Sequence, residues 1–333
     1  MDRLDARLED WERRLERRLS DIGQPSRPTA DVSAFGREPS GSRPESGRRP
    51  PAASFRLDAL APPAATELTA GLETPVEDLL QLAAWVFNAP HVQTNERYRR
   101  VAAEVRFLPD PADPAINAYA GQFELDGETG AVACIALLGG ATRFSRLAAL
   151  AVAADRRRPG GLGAPNALRR LVGVLGPCVL ETRGCLDSPT AANLARAAGL
   201  EAIVSDDAVG RQARSIAAGM NIGVIAHELG HHALGHTLGV ALNLSISRNQ
   251  EREADSFASS VISSSPFADY LTIGPILWNL IWVWCEKAAG PSMATTHPLA
   301  RERLLDFVRA NADAAAELGL DERGLAPLLP SEG

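Results

Sequence analysis

Apolar positions along this chain recur mostly at helical spacing, with a few short runs that alternate as strands do. Leu79, Leu80, Leu82, Ala83, Val86 and Phe87 fall three and four apart and predict a helix ending near Asn88. Thr74-Pro75-Val76-Glu77 reads as its capping box, with Pro at the first helical position. A second helix is predicted near Asn95 to Ala103. Val105 to Leu108 then reads as a strand ended by Pro109. A further strand follows at Asn117, another at Gly130 to Leu138, and Glu128-Thr129-Gly130 marks the turn between them. Over 142–215 the pattern alternates: helix 142–155, a Gly/Pro loop at 159–165, helix 166–175, strand Cys178–Thr182, helix 189–198 and strand Glu201–Val204. That alternation suggests a small α/β insertion. Ile222, Val224, Ile225 and Ala226 lead into another helix, which Gly235 and Gly239 are suited to end. Phe267 to Cys285 is the most hydrophobic window, but Asp269, Gly274, Pro275 and Asn279 interrupt it. A membrane crossing needs ~20 apolar residues, so we expect a helix buried beneath the core. Contact with a membrane surface through Trp278, Trp282 and Trp284 is the alternative. An Ala/Leu helix and a short Leu/Pro end close the chain from Arg303 to Leu329.

The N-terminal part differs in kind. Leu4, Leu8, Trp11, Leu15 and Leu19 predict an amphipathic helix over residues 1–23, a candidate for partner docking or self-association; Arg18 breaks its heptad seam. It lacks the apolar stretch of a signal peptide. Residues 24–62 are rich in Pro, Ser, Gly and Arg and read as a disordered linker that cannot bury enough apolar surface to order. Residues 63–333 are expected to form the folded domain. The charge of the whole chain adds an exclusion: 34 basic against 41 acidic residues give −7 overall, without the basic surplus of a nucleic-acid binder. The four cysteines, Cys134, Cys178, Cys185 and Cys285, show no zinc-ribbon spacing, which suits a reduced cytoplasmic setting.

The chemistry concentrates in one stretch, Ile225-Ala226-His227-Glu228-Leu229-Gly230-His231-His232-Ala233-Leu234-Gly235-His236. On a helix, His227 and His231 stand one turn apart on one face and aim two imidazoles at one point, as tetrahedral zinc requires. Glu228 beside them can act as general base towards an activated water. His232 and His236 fall off that face at roughly 100° per residue and are expected to support or pack. The position ten after His227 is Thr237, which excludes a third histidine at the metzincin spacing. A second helix supplies the missing ligand. Glu251 and Asp255, four apart, share a face: Glu251 can bind the metal, and Asp255 can accept the free ring N–H of a ligand histidine.

With these motifs the chain resembles zinc endopeptidases of the HtpX and CAAX-prenyl-protease type, a branch of the gluzincins. The match covers Glu251, Ala254 and Asp255, Thr296-His297-Pro298 with Arg303-Leu304, and Ile116-Asn117-Ala118-Tyr119-Ala120, beside His227–His231 and His236. The resemblance implies an α+β, mostly helical zincin-like fold. Its small β-sheet would offer an edge strand, Asn117, Ala118, Tyr119 and Ala120, to a protein or peptide substrate. It also implies one Zn²⁺ per chain on His227, His231 and Glu251, with His297 as an oxyanion donor or support beside the catalytic Glu228. The chain departs from that family in placing about a hundred residues between edge strand and zinc helix, and in lacking the acidic residues that usually precede the helix. Ile225 to His231 with Glu251, Ala254, Phe257 and Ala258 also resembles the ImmA/IrrE type of repressor-cleaving regulators, but no helix-turn-helix is evident. A non-catalytic adaptor would carry a degraded site, whereas these chemical residues are intact.

Overall fold

The computed structural model describes residues 65–125, 128–156, 166–204, 206–238, 244–289, 300–317 and 320–330. The predicted N-terminal helix and linker, the loop at 159–165 and His297 lie outside them. Four helices come first: α1 (Ala65–Leu72), α2 (Val76–Phe87), α3 (Pro90–Thr94) and α4 (Glu96–Glu104). The predicted capping box does not form. Pro75, extended at φ −55° and ψ 143°, is itself the cap residue, which leaves Thr74 one position too early to bond the first turn. Asn95 does cap α4, accepting from the N–H groups of Arg97 and Tyr98.

Three strands follow, β1 (Arg106–Asp110), β2 (Ala118–Glu124) and β3 (Ala131–Leu138), in the order β1-β3-β2. β1 runs parallel to β3 and β2 antiparallel to it, so the sheet is mixed. β3 is central, and Cys134 to Leu138 are buried. Pro109 does not end β1, which runs to Asp110; β1 is an edge strand, where a residue without an N–H is tolerated. Beside this small sheet the chain is mostly helical, an α+β arrangement.

The segment predicted as an α/β insertion is instead helical and part of the core. It comprises α5 (Gly139–Arg156), α6 (Asn166–Glu181), α7 (Ser188–Ala197) and the single turn α8 (Glu201–Val204). Both predicted strands fail. Cys178–Glu181 continues α6 past Pro177, with Thr182 in the turn beyond, because Leu171, Val172, Leu175, Cys178 and Val179 bury one helical stripe; tertiary packing overrides local preference there. Glu201–Val204 is a single helical turn, and among the described residues no strand pairs with it. Every residue of α5 from Gly139 to Asp155 is buried. Three of its charged side chains find partners inside the fold: Arg143 donates to Glu73, Pro111 and Leu186, Arg146 donates to Gly71 although its Nη1 finds no acceptor, and Asp155 accepts the N–H groups of Ala167 and Leu168 in the first turn of α6.

The axis of the fold is α9 (Asp207–Leu234), 28 residues long, so the motif helix begins inside the segment assigned to the insertion. Asp206 caps its start, and Gly235, left-handed at φ 84°, ends it. After a 3₁₀ turn (His236–Leu238) come α10 (Leu244–Ser263), α11 (Ala268–Leu271), α12 (Ile273–Ala289), α13 (Ala300–Ala310), α14 (Ala312–Glu317), α15 (Glu322–Leu325) and a closing 3₁₀ turn. α9 packs most extensively against α5 and α10, and then against α12. Glycines set these distances. A Cβ on Gly230 would stand 3.2 Å from Ala254 and Phe257 of α10, and one on Gly274 only 2.2 Å from the backbone of Gly219. Pro275 lies in the first turn of α12, where its missing N–H costs little, so Gly274-Pro275 begin this helix rather than break it. As expected, α12 is buried rather than exposed. Among the described residues no helix is long and apolar enough to cross a membrane.

Candidate metal centre

α9 presents His227 and His231 one turn apart, and α10 crosses it closely enough at Gly230 to bring Glu251 against both. The two Nε2 atoms are 3.2 Å apart. One Glu251 oxygen lies 3.3 Å from His227 Nε2 and the other 3.5 Å from His231 Nε2. His227 and Glu251 are buried, and the three residues form a group that could hold a metal ion.

The outer ring nitrogens are held as well. Nδ1 of His227 is 2.9 Å from Asp255 Oδ1, as the shared face of Glu251 and Asp255 predicted. Asp255 in turn accepts two bonds from Arg303 on α13, at 2.8 Å from Nε and 2.7 Å from Nη2, the fork geometry of a strong pair. His231 Nδ1 lies 3.1 Å from His236 Nδ1, and His236 Nε2 lies 2.9 Å from Glu253. A carboxylate only accepts, so Glu253 fixes the proton of His236 on Nε2. His236 Nδ1 then accepts from Nδ1 of His231. Both imidazoles thereby turn Nε2 towards Glu251, where each would offer it to a metal. His232 stands apart: it lies 2.9 Å from the carbonyl of Cys134 and ties α9 to β3.

Electrostatics follow this geometry. Burial works to lower the pKa of His227, but hydrogen bonds to Asp255 and Glu251 outweigh it and hold the imidazole up to about 10. Burial and the neighbouring charge of His227 push His231 down to about 3. Burial would raise Asp255; Arg303 and His227 more than reverse this and hold it well below the usual carboxylate range. Glu251 and Asp255 thus flank a place suited to a positive charge.

These groups line a cleft of about 670 Å³. Glu228 is on its wall, as are Asn117, Ala118, Tyr119 and Ala120, the residues read from sequence as the substrate edge. β2 starts at Ala118 and pairs only with β3 among the described residues, which leaves its outer backbone edge open beside the cleft. α12 adds Trp278, Asn279, Trp282 and Glu286 to the lining, so two of the tryptophans considered for a membrane surface face this cleft instead. The third, Trp284, donates its indole N–H to the carbonyl of Leu328. Sequence spacing did not assign the fork from Arg303, 48 residues from Asp255, or the pairing of His236 with Glu253, 17 apart. Comparison with protein-family models, curated proteins and solved structures returns no match.

Proposed function

We propose that this chain is a zinc-dependent endopeptidase with a zincin-like, gluzincin fold of the HtpX type, working in the cytoplasm on protein or peptide substrates. The observation that carries this is the convergence of His227, His231 and Glu251 on one point, with Glu228 beside it in an open cleft. The donor set suits zinc in kind and spacing. Zinc bonds of about 2.0–2.2 Å in a tetrahedron set donors roughly 3.3–3.6 Å apart, and the three separations are 3.2, 3.3 and 3.5 Å. Bound there, zinc would supply Lewis-acid polarisation of the scissile carbonyl and acidify water.

The chain's own residues divide the remaining work. Glu228 takes the proton of the attacking water and returns it to the leaving nitrogen. Asp255 and Arg303 hold the orientation of His227, and His236 with Glu253 holds that of His231. The open edge of β2 pairs with an extended peptide backbone and lays the scissile bond across the cleft. Glu228→Gln tests the division between binding and chemistry. We expect the purified variant to keep its zinc and lose at least about a hundredfold in peptide hydrolysis, the scale of general-base catalysis. Hydrolysis near the wild-type rate would refute the mechanism.

A further inference from the structure

Resting on the peptidase reading, we infer that the α12 wall of the cleft is a subsite for a basic side chain of the substrate, formed by Trp278, Trp282 and Glu286. The three residues are spaced four apart and so form one stripe of a single helix, and all three line the cleft. The indoles are held from behind by one buried ring: Phe144 of α5 meets Trp278 edge-on at 4.8 Å and Trp282 in a stacked arrangement at 5.9 Å. Fixed indole faces attract a guanidinium or ammonium passing over them. Glu286 ends the stripe. Its two oxygens each lie 3.0 Å from the backbone N–H of Ala300, which orients the carboxylate without neutralising it.

Charge selects the occupant. Four carboxylates line the cleft, Glu228, Glu251, Asp255 and Glu286, against one guanidinium, Arg303. Arg303 is engaged by Asp255, Glu251 faces the two histidines, and Glu228 is assigned to the reaction. Among the described residues no basic side chain pairs with Glu286. Half-buried beside two indoles, its carboxyl is raised above its ordinary pKa chiefly by burial, against a lowering pull from Arg303, and a cation in contact with it there is less screened than in water. A leucine in the same place would bury apolar surface on the tryptophans but leave the carboxylate unanswered.

The test uses the full-length, zinc-loaded chain carrying Glu228→Gln, which removes the proposed base and keeps the ligands. Short blocked alanine peptides, with Arg, Leu or Glu moved through each position in turn, are titrated calorimetrically. We expect Arg at one position to bind on the order of tenfold tighter than Leu there, the effect of one charge-assisted contact, and Glu to bind weakest. Adding Glu286→Gln should collapse the Arg preference to within about twofold. The glutamine oxygen still accepts from Ala300, so α13 stays seated and only the charge is lost. Trp282→Leu should narrow the same preference independently. Equal binding of Arg and Leu at every position, or a preference that survives Glu286→Gln, overturns the subsite. The same peptides offered to the unmodified chain separate this from the wider proposal. Arg-selective binding without cleavage retains the subsite and sinks the peptidase reading; cleavage indifferent to Arg does the reverse.

Discussion

Each ring nitrogen in the centre has one task, and that makes single substitutions informative. Alanine at His227, His231 or Glu251 is expected to reduce bound zinc, measured by elemental analysis, from about one per chain to a small fraction. Glu253→Ala should leave the metal in place, because Glu253 bonds His236 and is not one of the three residues that converge on the metal position. Loss of zinc in Glu253→Ala with retention in Glu251→Ala would show that the wrong face of α10 was assigned. Arg303→Met removes the guanidinium from which Asp255 accepts two bonds. We expect zinc affinity, read by competition with a chromophoric chelator, to fall about 10–100-fold. Lysine should recover little of it, since a point charge does not reproduce the fork. His227, Glu228 and His231 were legible because their spacing is itself the chemistry, and Glu251 with Asp255 because four residues define a helix face. The fork from Arg303 was not, since folding alone brings α13 to α10; the residue entered only through a family likeness.

At the scale of elements, what the sequence conceals is how near helices come. Gly230 stands inside the motif, yet it also lets α10 approach close enough for Glu251 to reach both histidines. Gly230→Ala puts a methyl 3.2 Å from Ala254 and Phe257. The expected result is a folded protein about 1–3 kcal/mol less stable, with weaker zinc binding because α10 and its carboxylate are pushed back. Thermal denaturation with and without zinc measures both, and unchanged affinity would show that the crossing does not place Glu251. The failed strands teach a related lesson. Cys178-Val179-Leu180 looks like strand in a short window, while the stripe it continues, from Leu171 and Leu175, is visible only over the whole of α6. Likewise the charged residues of α5 suggest an exposed side until Arg143, Arg146 and Asp155 are seen to find partners indoors.

For the whole molecule, α5 closes one side of α9, α10 another and α12 a third, while the cleft opens beside β2. The core they share is built by residues from Leu68 onwards among those described, and the composition of 24–62 reads as a linker. A chain begun at Pro63 is therefore expected to melt cooperatively within a few degrees of the full-length protein and to bind zinc equally; a collapse in melting temperature would place part of the fold before residue 63. A strand near Asn117 and most of the helices were legible from their periods, whereas the α+β class and the edge at Asn117 to Ala120 entered through the family likeness. The central role of α5 was not, because a helix buried all round carries no amphipathic signature to place it.

The contact of Gly274 with Gly219 bears on how the cleft could answer selection. Where two backbones already touch, α12 cannot be brought nearer to α9, and drawing it away would open a void along the helix that carries the histidines. The gap between the tryptophan wall and the metal ligands is therefore a fixed gauge. Changes of preference over evolutionary time, or in directed evolution, should accumulate as side-chain exchanges at Trp278, Trp282, Glu286 and Tyr119, with the helix spacing inherited unchanged.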